Sequence, residues 1–218
     1  MFSKMSKTHH QQRSLRGEIH QAFGNSARPA VAYRQRRQQD EMKSHFSAPE
    51  TWHEPQQRAR TEYIIQPAGT GYVHPVTVED VRARLAELPA HLSCGVEVVQ
   101  FSAMTRKRQL FPLYGMQWGP NVYLYPIEES LTETYNRPPK PDQLMEARMF
   151  GGQWSQVGRE WKLTWTPATI RDFYLNNVLI HEVGHVNDTR NTNTHKREQY
   201  AIWFATEYGY RASRGKAR

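Results

Sequence analysis

Residues Thr166 to Asn187 read TPATIRDFYLNNVLIHEVGHVN, and the architecture of the chain can be built outward from them. This stretch contains the pattern HExxH, formed by His181, Glu182 and His185. Residues four positions apart on an α-helix are separated by only about 40° around its axis, so both imidazoles project from one face. The spacing therefore predicts two histidines that bind one metal ion from a single helix.

The residues before the motif favour one long helix. Thr166 is a typical N-cap residue, and Pro167 suits the first helical position. Apolar side chains then recur at helical spacing and place His181 on the buried face; they are Ile170, Phe173, Tyr174 and Val178. A core helix with two buried histidines is the alternative, but burial without partners would cost free energy, which favours a metal site.

Glu182 directly follows the first histidine, so its carboxylate would lie beside the metal instead of binding it. From that position a carboxylate can take a proton from a zinc-bound water molecule. The pattern thus predicts Zn²⁺ as the cofactor, His181 and His185 as ligands, and Glu182 as a general base.

A catalytic zinc site usually has three protein ligands, and four downstream residues are candidates for the third: Asp188, His195, Glu198 and Glu207. Glu198 is favoured because it lies three residues before Ala201 on the inward face of a second predicted helix, where a carboxylate needs a partner. His195 lies one turn earlier on that face and remains the rival ligand. Asp188 suits a hydrogen bond to His185 better than a bond to the metal.

The second helix follows a polar loop, and Asn193 or Thr194 is expected as its N-cap. Its apolar face contains Ala201, Phe204, Ala205 and Tyr208. The two small alanines predict a close approach to the first helix. Gly209 is expected to end the second helix in a left-handed turn.

The pair of helices between Thr169 and Gly209 resembles the zincin metallopeptidases, and specifically their gluzincin branch. In that branch a second helix supplies a glutamate ligand, commonly in the setting Glu-x-x-Ala, and this chain has EQYA at 198–201. The metzincin pattern is excluded, because it requires Gly and His where this chain has Asp188 and Asn191.

The resemblance implies that His181, His185 and Glu198 bind zinc and that Glu182 is the general base of a peptidase. It also implies an α+β fold, namely a zincin-like domain with a small mixed or antiparallel sheet and two active-site helices. The substrate would be a peptide or a protein. The alternative is a non-catalytic, metal-stabilised binding module that uses a basic tail to engage nucleic acid or protein.

Three segments upstream of the motif helix read as strands, at 95–101, 121–127 and 161–165. The second contains Pro126, which favours an edge position, and it is the candidate strand for pairing with an extended peptide. Thr77 and Asp80 form a predicted capping box for another helix. The basic triplet at 106–108 is expected to be a solvated loop, and 129–135 a short helix.

Charge separates the chain into a predicted zincin-like metallopeptidase domain at 61–210 and two basic tails, at 1–60 and 211–218. Residues 1–60 carry 11 Lys and Arg against 5 Asp and Glu, with few aliphatic side chains, so this tail is expected to be disordered. Phosphate attraction would allow it to contact nucleic acid.

The remaining composition predicts a cytoplasmic protein. The chain has a single cysteine, which excludes a disulfide framework. It lacks an apolar run of the roughly 20 residues that span a membrane, and its first residues do not resemble a secretory signal.

Overall fold

The computed structural model describes residues 49–110 and 113–215, which form an α+β structure. The predicted class is therefore confirmed. Residues 1–48 of the tail predicted at 1–60 lie outside the described residues. Residues 216–218 of the tail predicted at 211–218 also lie outside them.

Short strands and helices are interspersed along the described part of the chain. Its first half comprises β1 (Glu62–Ile65), β2 (Tyr72–Val73), α1 (Val78–Ala86), α2 (Ala90–Ser93), β3 (Val98–Phe101), α3 (Arg106–Leu110), β4 (Gly115–Trp118), β5 (Asn121–Leu124) and β6 (Ile127–Glu128). Its second half comprises β7 (Thr132–Tyr135), α4 (Pro141–Met149), β8 (Gln153–Val157), β9 (Glu160–Thr164), α5 (Pro167–Phe173), α6 (Leu179–Asn187), α7 (Thr194–Phe204) and α8 (Ala212–Gly215).

Two long helices each contain a π-helical segment. The segment Tyr174–Val178 joins α5 to α6, and the three together are called the motif helix, residues 167–187. The segment Ala205–Arg211 joins α7 to α8, and this second helix is called the C-terminal helix, residues 194–215. Gly209 was expected to end the C-terminal helix, but this prediction is wrong, because Gly209 lies inside the π segment and the helix continues to Gly215.

A four-stranded mixed sheet supports the motif helix, in the order β1-β3-β5-β4. β1, β3 and β5 are parallel, whereas β4 runs antiparallel to β5, with Met116 opposite Tyr123. β4 is therefore an edge strand. A two-stranded ribbon, β2-β6, and a three-stranded antiparallel sheet, β7-β9-β8, complete the strands of the described residues.

Two local predictions, one of an edge strand and one of a short helix, are wrong. The segment 121–127 was expected at the edge, but β5 lies inside the sheet and Pro126 follows its last paired residue, so proline removes no bond from the β5 ladder. The segment 129–135 was expected to be helical, but Thr132–Tyr135 is β7, because its backbone pairs with Trp161–Thr164 of β9.

The core lies between the sheet and the motif helix. Val99, Phe101, Val122 and Leu124 project from one face of the sheet towards the apolar residues of the helix, including Phe173. Burial of each such side chain contributes about 1.5–3 kcal/mol relative to exposure. The predicted apolar stripe of the motif helix is confirmed, since Ile170, Phe173, Tyr174 and Val178 are all buried.

Residues 49–60, assigned to the tail from composition, cover the opposite face of the sheet. Glu50 pairs with Arg108 at 2.9 Å, and His53 contacts Gln100 at 2.7 Å. Arg108 is completely buried and stacks on Tyr125. The prediction of a solvated loop at 106–108 is therefore wrong, because α3 turns this arginine inward onto a carboxylate and an aromatic ring.

The remaining helical predictions hold. Thr77 caps α1, and its capping box with Asp80 is present. Thr166 caps the motif helix, with Pro167 in its first turn. None of the helices in the two described ranges combines the length and apolar composition that a membrane crossing needs.

Candidate metal centre

The motif helix is fixed just before the two histidines. The hydroxyl of Tyr174 donates to the carbonyl of Tyr125 at 2.8 Å, which ties the π segment to the chain just beyond β5. Arg84 of α1 donates to the side chain of Asn176 at 2.6 Å and also to the carbonyl of Tyr208. This arginine thereby joins the π segments of the motif helix and the C-terminal helix.

The C-terminal helix approaches the motif helix closely at Gly184. A Cβ at Gly184 would lie 3.1 Å from Cα of Ala201 and 3.0 Å from Cβ of Phe204. Asn193 begins this helix, and its side chain accepts from the backbone N–H of His195 at 2.9 Å. The close approach at Ala201 brings Glu198, one turn earlier, to the two histidines.

His181, His185 and Glu198 form a cluster whose candidate ligand atoms all lie within 4.8 Å of one another. Oε1 of Glu198 lies 3.3 Å from Nε2 of His185, and Oε2 lies 3.4 Å from Nε2 of His181. The structure thus brings together the three residues predicted as metal ligands.

The two distances are compatible with ligands that share one metal ion. Charge-assisted N–H···O bonds are about 2.7–2.9 Å long, which is shorter than both separations. Ligand atoms around tetrahedral zinc, at about 2.0–2.1 Å from the ion, lie about 3.3 Å from each other. Nε2 of His181 is also buried and makes no hydrogen bond with a described residue. Two imidazoles and a carboxylate are therefore a donor set that suits zinc.

The rest of the ligand environment departs from the expected one. Metal-binding histidines usually donate their second N–H to an oxygen, but Nδ1 of His185 is buried without an acceptor among the described residues. Asp188 was expected to supply such an acceptor. Its carboxylate instead accepts from the backbone and side chain of Asn191, at 3.1 and 3.0 Å, and so organises the loop between the helices.

The charge state of Asp188 follows from these contacts. Burial would raise its pKa, but the hydrogen bonds from Asn191 and Arg190, together with the charge of Arg197, more than offset this effect. The pKa of Asp188 therefore lies below its ordinary value. The loop carboxylate stays ionised across the neutral pH range.

The other candidate ligands lie elsewhere. His195, the rival third ligand, is exposed and is not part of the cluster. Glu207 pairs with Arg211 on the C-terminal helix. Glu198 is thus the candidate that the packing of the two helices brings to the histidines.

Glu182 is almost completely buried, with 3% exposure, and it lines the cleft next to the cluster. It faces the edge strand, where a Cβ at Gly115 would lie 2.9 Å from its Cγ and 3.0 Å from its Oε1. Only glycine leaves room for this carboxylate. Glu182 accordingly lies at the wall of the cleft, beside the cluster and against the edge strand.

The cleft lies between β4 and the two helices and holds about 230 Å³. Its lining residues are Leu113, Gly115, Met116, Gln117, Glu182, His185, Thr194, Arg197 and Glu198. Nη2 of Arg197 donates to Oε1 of Gln117 at 3.2 Å and to the carbonyl of His185 at 3.4 Å. The arginine therefore connects the edge strand to the end of the motif helix.

The sequence prediction missed Gly115, Gln117 and Arg197 as cleft residues. Arg197 had a usable signal, because Thr194, Arg197 and Glu198 share one helical face through the spacing i, i+3, i+4. Gly115 and Gln117 had no such signal in the sequence, because they border the cleft only through the position of β4 at the edge of the sheet.

Comparisons of the chain with protein-family models, curated proteins and solved structures gave no match.

Proposed function

We propose that this protein is a zinc-dependent metallopeptidase of the gluzincin type. The observation that carries the proposal is the His181–His185–Glu198 cluster, with N···O separations of 3.3 and 3.4 Å. These residues would hold Zn²⁺, which supplies a Lewis acid that polarises a carbonyl group and acidifies water.

Glu182 would act as the general base. It takes a proton from the attacking water and passes it to the nitrogen of the leaving amine. Its place against Gly115 keeps the carboxylate at the wall of the cleft, beside the cluster. Because residues 178–180 and Val183 around it are buried, little water besides the reacting molecule reaches its stem.

The edge strand supports a peptide as the substrate. Within residues 49–110 and 113–215, β4 pairs with β5 on one side only, and three of its residues, Gly115, Met116 and Gln117, line the cleft. A strand with a free edge can pair with an extended peptide through main-chain hydrogen bonds. A peptide bound in this way would pass in front of Glu182 and the metal cluster.

The test compares three purified proteins: wild type, the Glu182→Gln variant and a matched control variant, Glu207→Gln. A randomised peptide library is incubated with each zinc-loaded protein, and new termini are identified by mass spectrometry. Wild type and Glu207→Gln should cleave, whereas Glu182→Gln should bind zinc normally and lose at least a hundredfold in rate. Absence of cleavage by all three proteins would favour the metal-stabilised binding module, and equal cleavage would refute the role of Glu182.

A further inference from the structure

We infer that Arg197 makes the cleft selective for ligands that carry a carboxylate, supplied by an acidic side chain or by a free C-terminus. The inference deepens the proposed function, since it takes the ligand to be a peptide in the same cleft. It names Arg197 as the residue that determines specificity.

Arg197 lines the cleft together with Glu182, Glu198 and Gln117, and it is half-buried. It lines the same cleft as His185 and Glu198, so a ligand that extends from the metal cluster along the cleft passes its guanidinium group. Its bond to Gln117 places that group at the edge strand, along which a peptide would run.

The guanidinium group of Arg197 is held by neutral hydrogen-bond acceptors. Its two hydrogen bonds to described residues both come from Nη2, and both acceptors are neutral: the Gln117 amide oxygen and the His185 carbonyl. Nη1 and Nε retain donors for a ligand. Arginine presents these donors in a planar fork that matches a carboxylate, and the two bonds from Nη2 fix its direction.

The charged groups that line the cleft differ in sign from one part of it to another. Glu182 and Glu198 are the acidic residues of the lining, and Glu198 would be used by the metal. Arg197 is the one arginine or lysine among the nine described residues that line the cleft. A carboxylate of the ligand is therefore attracted near Arg197 and repelled near Glu182. We expect it to bind at the part of the cleft that Arg197 lines.

A purely structural role is the competing explanation, because Arg197 also ties β4 to the C-terminal end of the motif helix. Loss of that tie would weaken all ligands equally. Loss of carboxylate recognition would weaken only acidic ligands. The ratio of affinities for acidic and amide peptides therefore separates the two roles.

The test measures fluorescence anisotropy with zinc-loaded protein carrying Glu182→Gln, which prevents turnover. The probes are fluorescein-labelled, alanine-rich hexapeptides with one variable residue, which is placed at each position in turn. The first form has Glu at that position and a C-terminal amide, and the second has Gln and the same amide. The third form has Gln and a free C-terminal carboxylate. The binding measurement is repeated after a chelator has removed the zinc, so that attraction of the peptide carboxylate to the metal does not contribute. Arg197→Met and Arg197→Lys are compared with Arg211→Met, which alters an exposed arginine on the same helix.

We expect one carboxylate-bearing form to bind at least tenfold more tightly than the amide form. Arg197→Met should abolish this ratio, Arg197→Lys should retain part of it, and Arg211→Met should leave it unchanged. The form that binds more tightly identifies the source of the carboxylate. Equal or absent binding of acid and amide peptides, or an unchanged ratio in Arg197→Met, would overturn the inference.

The two proposals fail in different ways. A carboxylate preference without cleavage of any peptide would support the role of Arg197 and count against the peptidase. Cleavage without a preference that depends on Arg197 would support the peptidase and count against this inference.

Discussion

Gly115 of the edge strand lies directly against Glu182 of the motif helix, with space for a hydrogen atom and not for a methyl group. A Cβ at this position would lie 2.7 Å from Cγ1 of Val178 and 2.9 Å from Cγ of Glu182. The contact joins the strand that borders the cleft to the carboxylate proposed as the general base.

Gly115→Ala should therefore reduce peptidase activity at least tenfold while zinc content stays normal. The added methyl group has to displace either the carboxylate of Glu182 or the edge strand, and displacements of about 1 Å at a reacting group can cost a hundredfold in rate. The measurement is kcat/KM with a peptide from the library, alongside zinc content. Gly95→Ala is the control, because the one described side chain that its Cβ would meet is Val186, at an ordinary 3.4 Å. Unchanged activity in Gly115→Ala would show that this contact does not position Glu182.

Gly209→Ala should destabilise the protein by about 1–3 kcal/mol, the usual range for overpacking, or by more. Gly209 lies where the two π segments meet, and a Cβ there would overlap the carbonyl oxygen of Asn176. Backbone cannot give way as a flexible side chain can. The free energy of unfolding is measured by urea denaturation, with Gly215→Ala as the control because its Cβ would meet no described residue within 4 Å. Equal stability of both variants would contradict the close packing of the π segments.

Glu50→Gln should destabilise the protein by about 1–3 kcal/mol, because it leaves the fully buried Arg108 without its carboxylate partner, while Glu50 itself is partly exposed. Glu50 pairs with Arg108, which is completely buried, and the charge of this arginine helps to hold the pKa of Glu50 below its ordinary value even though burial alone would raise it. Glu54→Gln, at an exposed position of the same segment, is the control. A change below 1 kcal/mol would indicate that residues 49–60 contribute little to the stability of the sheet.

Asp80→Ala should destabilise the protein by about 1 kcal/mol at pH 7, because Arg171 is half exposed and solvent screens its charge. The hydrogen bond from Arg171 is the largest cause that lowers the pKa of Asp80, and Thr77 adds to it. A depressed pKa in the folded state stabilises the protein fully above the ordinary value of 3.8, and this stabilisation is lost as the pH falls through the lower, folded-state pKa.

The difference in unfolding free energy between wild type and Asp80→Ala should therefore be constant above about pH 5 and should shrink below about pH 4. Urea denaturation at a series of pH values measures it. A difference that grows as the pH falls would contradict the ion pair between α1 and the motif helix.

The local features of this protein could be predicted from sequence because they depend on near neighbours. Thr166 and Pro167 begin the motif helix as expected, and Asn193 begins the C-terminal helix. The alanine spacing also indicated the close approach that brings Glu198 to the histidines. Each of these patterns is complete within a few turns of helix.

The features that were missed depend on contacts between distant parts of the chain. β5 lies inside the sheet because β4, an earlier segment without a clear strand pattern, pairs with its open side. Arg108 is buried because Glu50, 58 residues earlier, reaches it across the sheet. Gly209 looked like a helix end because its real constraint, the carbonyl of Asn176, lies on another helix.

Metal stoichiometry decides whether His181, His185 and Glu198 bind one zinc ion. Inductively coupled plasma mass spectrometry on purified protein, followed by zinc titration with a competing chelator, gives content and affinity. We expect about one zinc per chain in wild type and in His195→Ala, and a loss of at least a hundredfold in affinity in His181→Ala and in Glu198→Ala, because each removes a ligand. Zinc bound equally well by Glu198→Ala and wild type, or lost in His195→Ala alone, would contradict the proposed site.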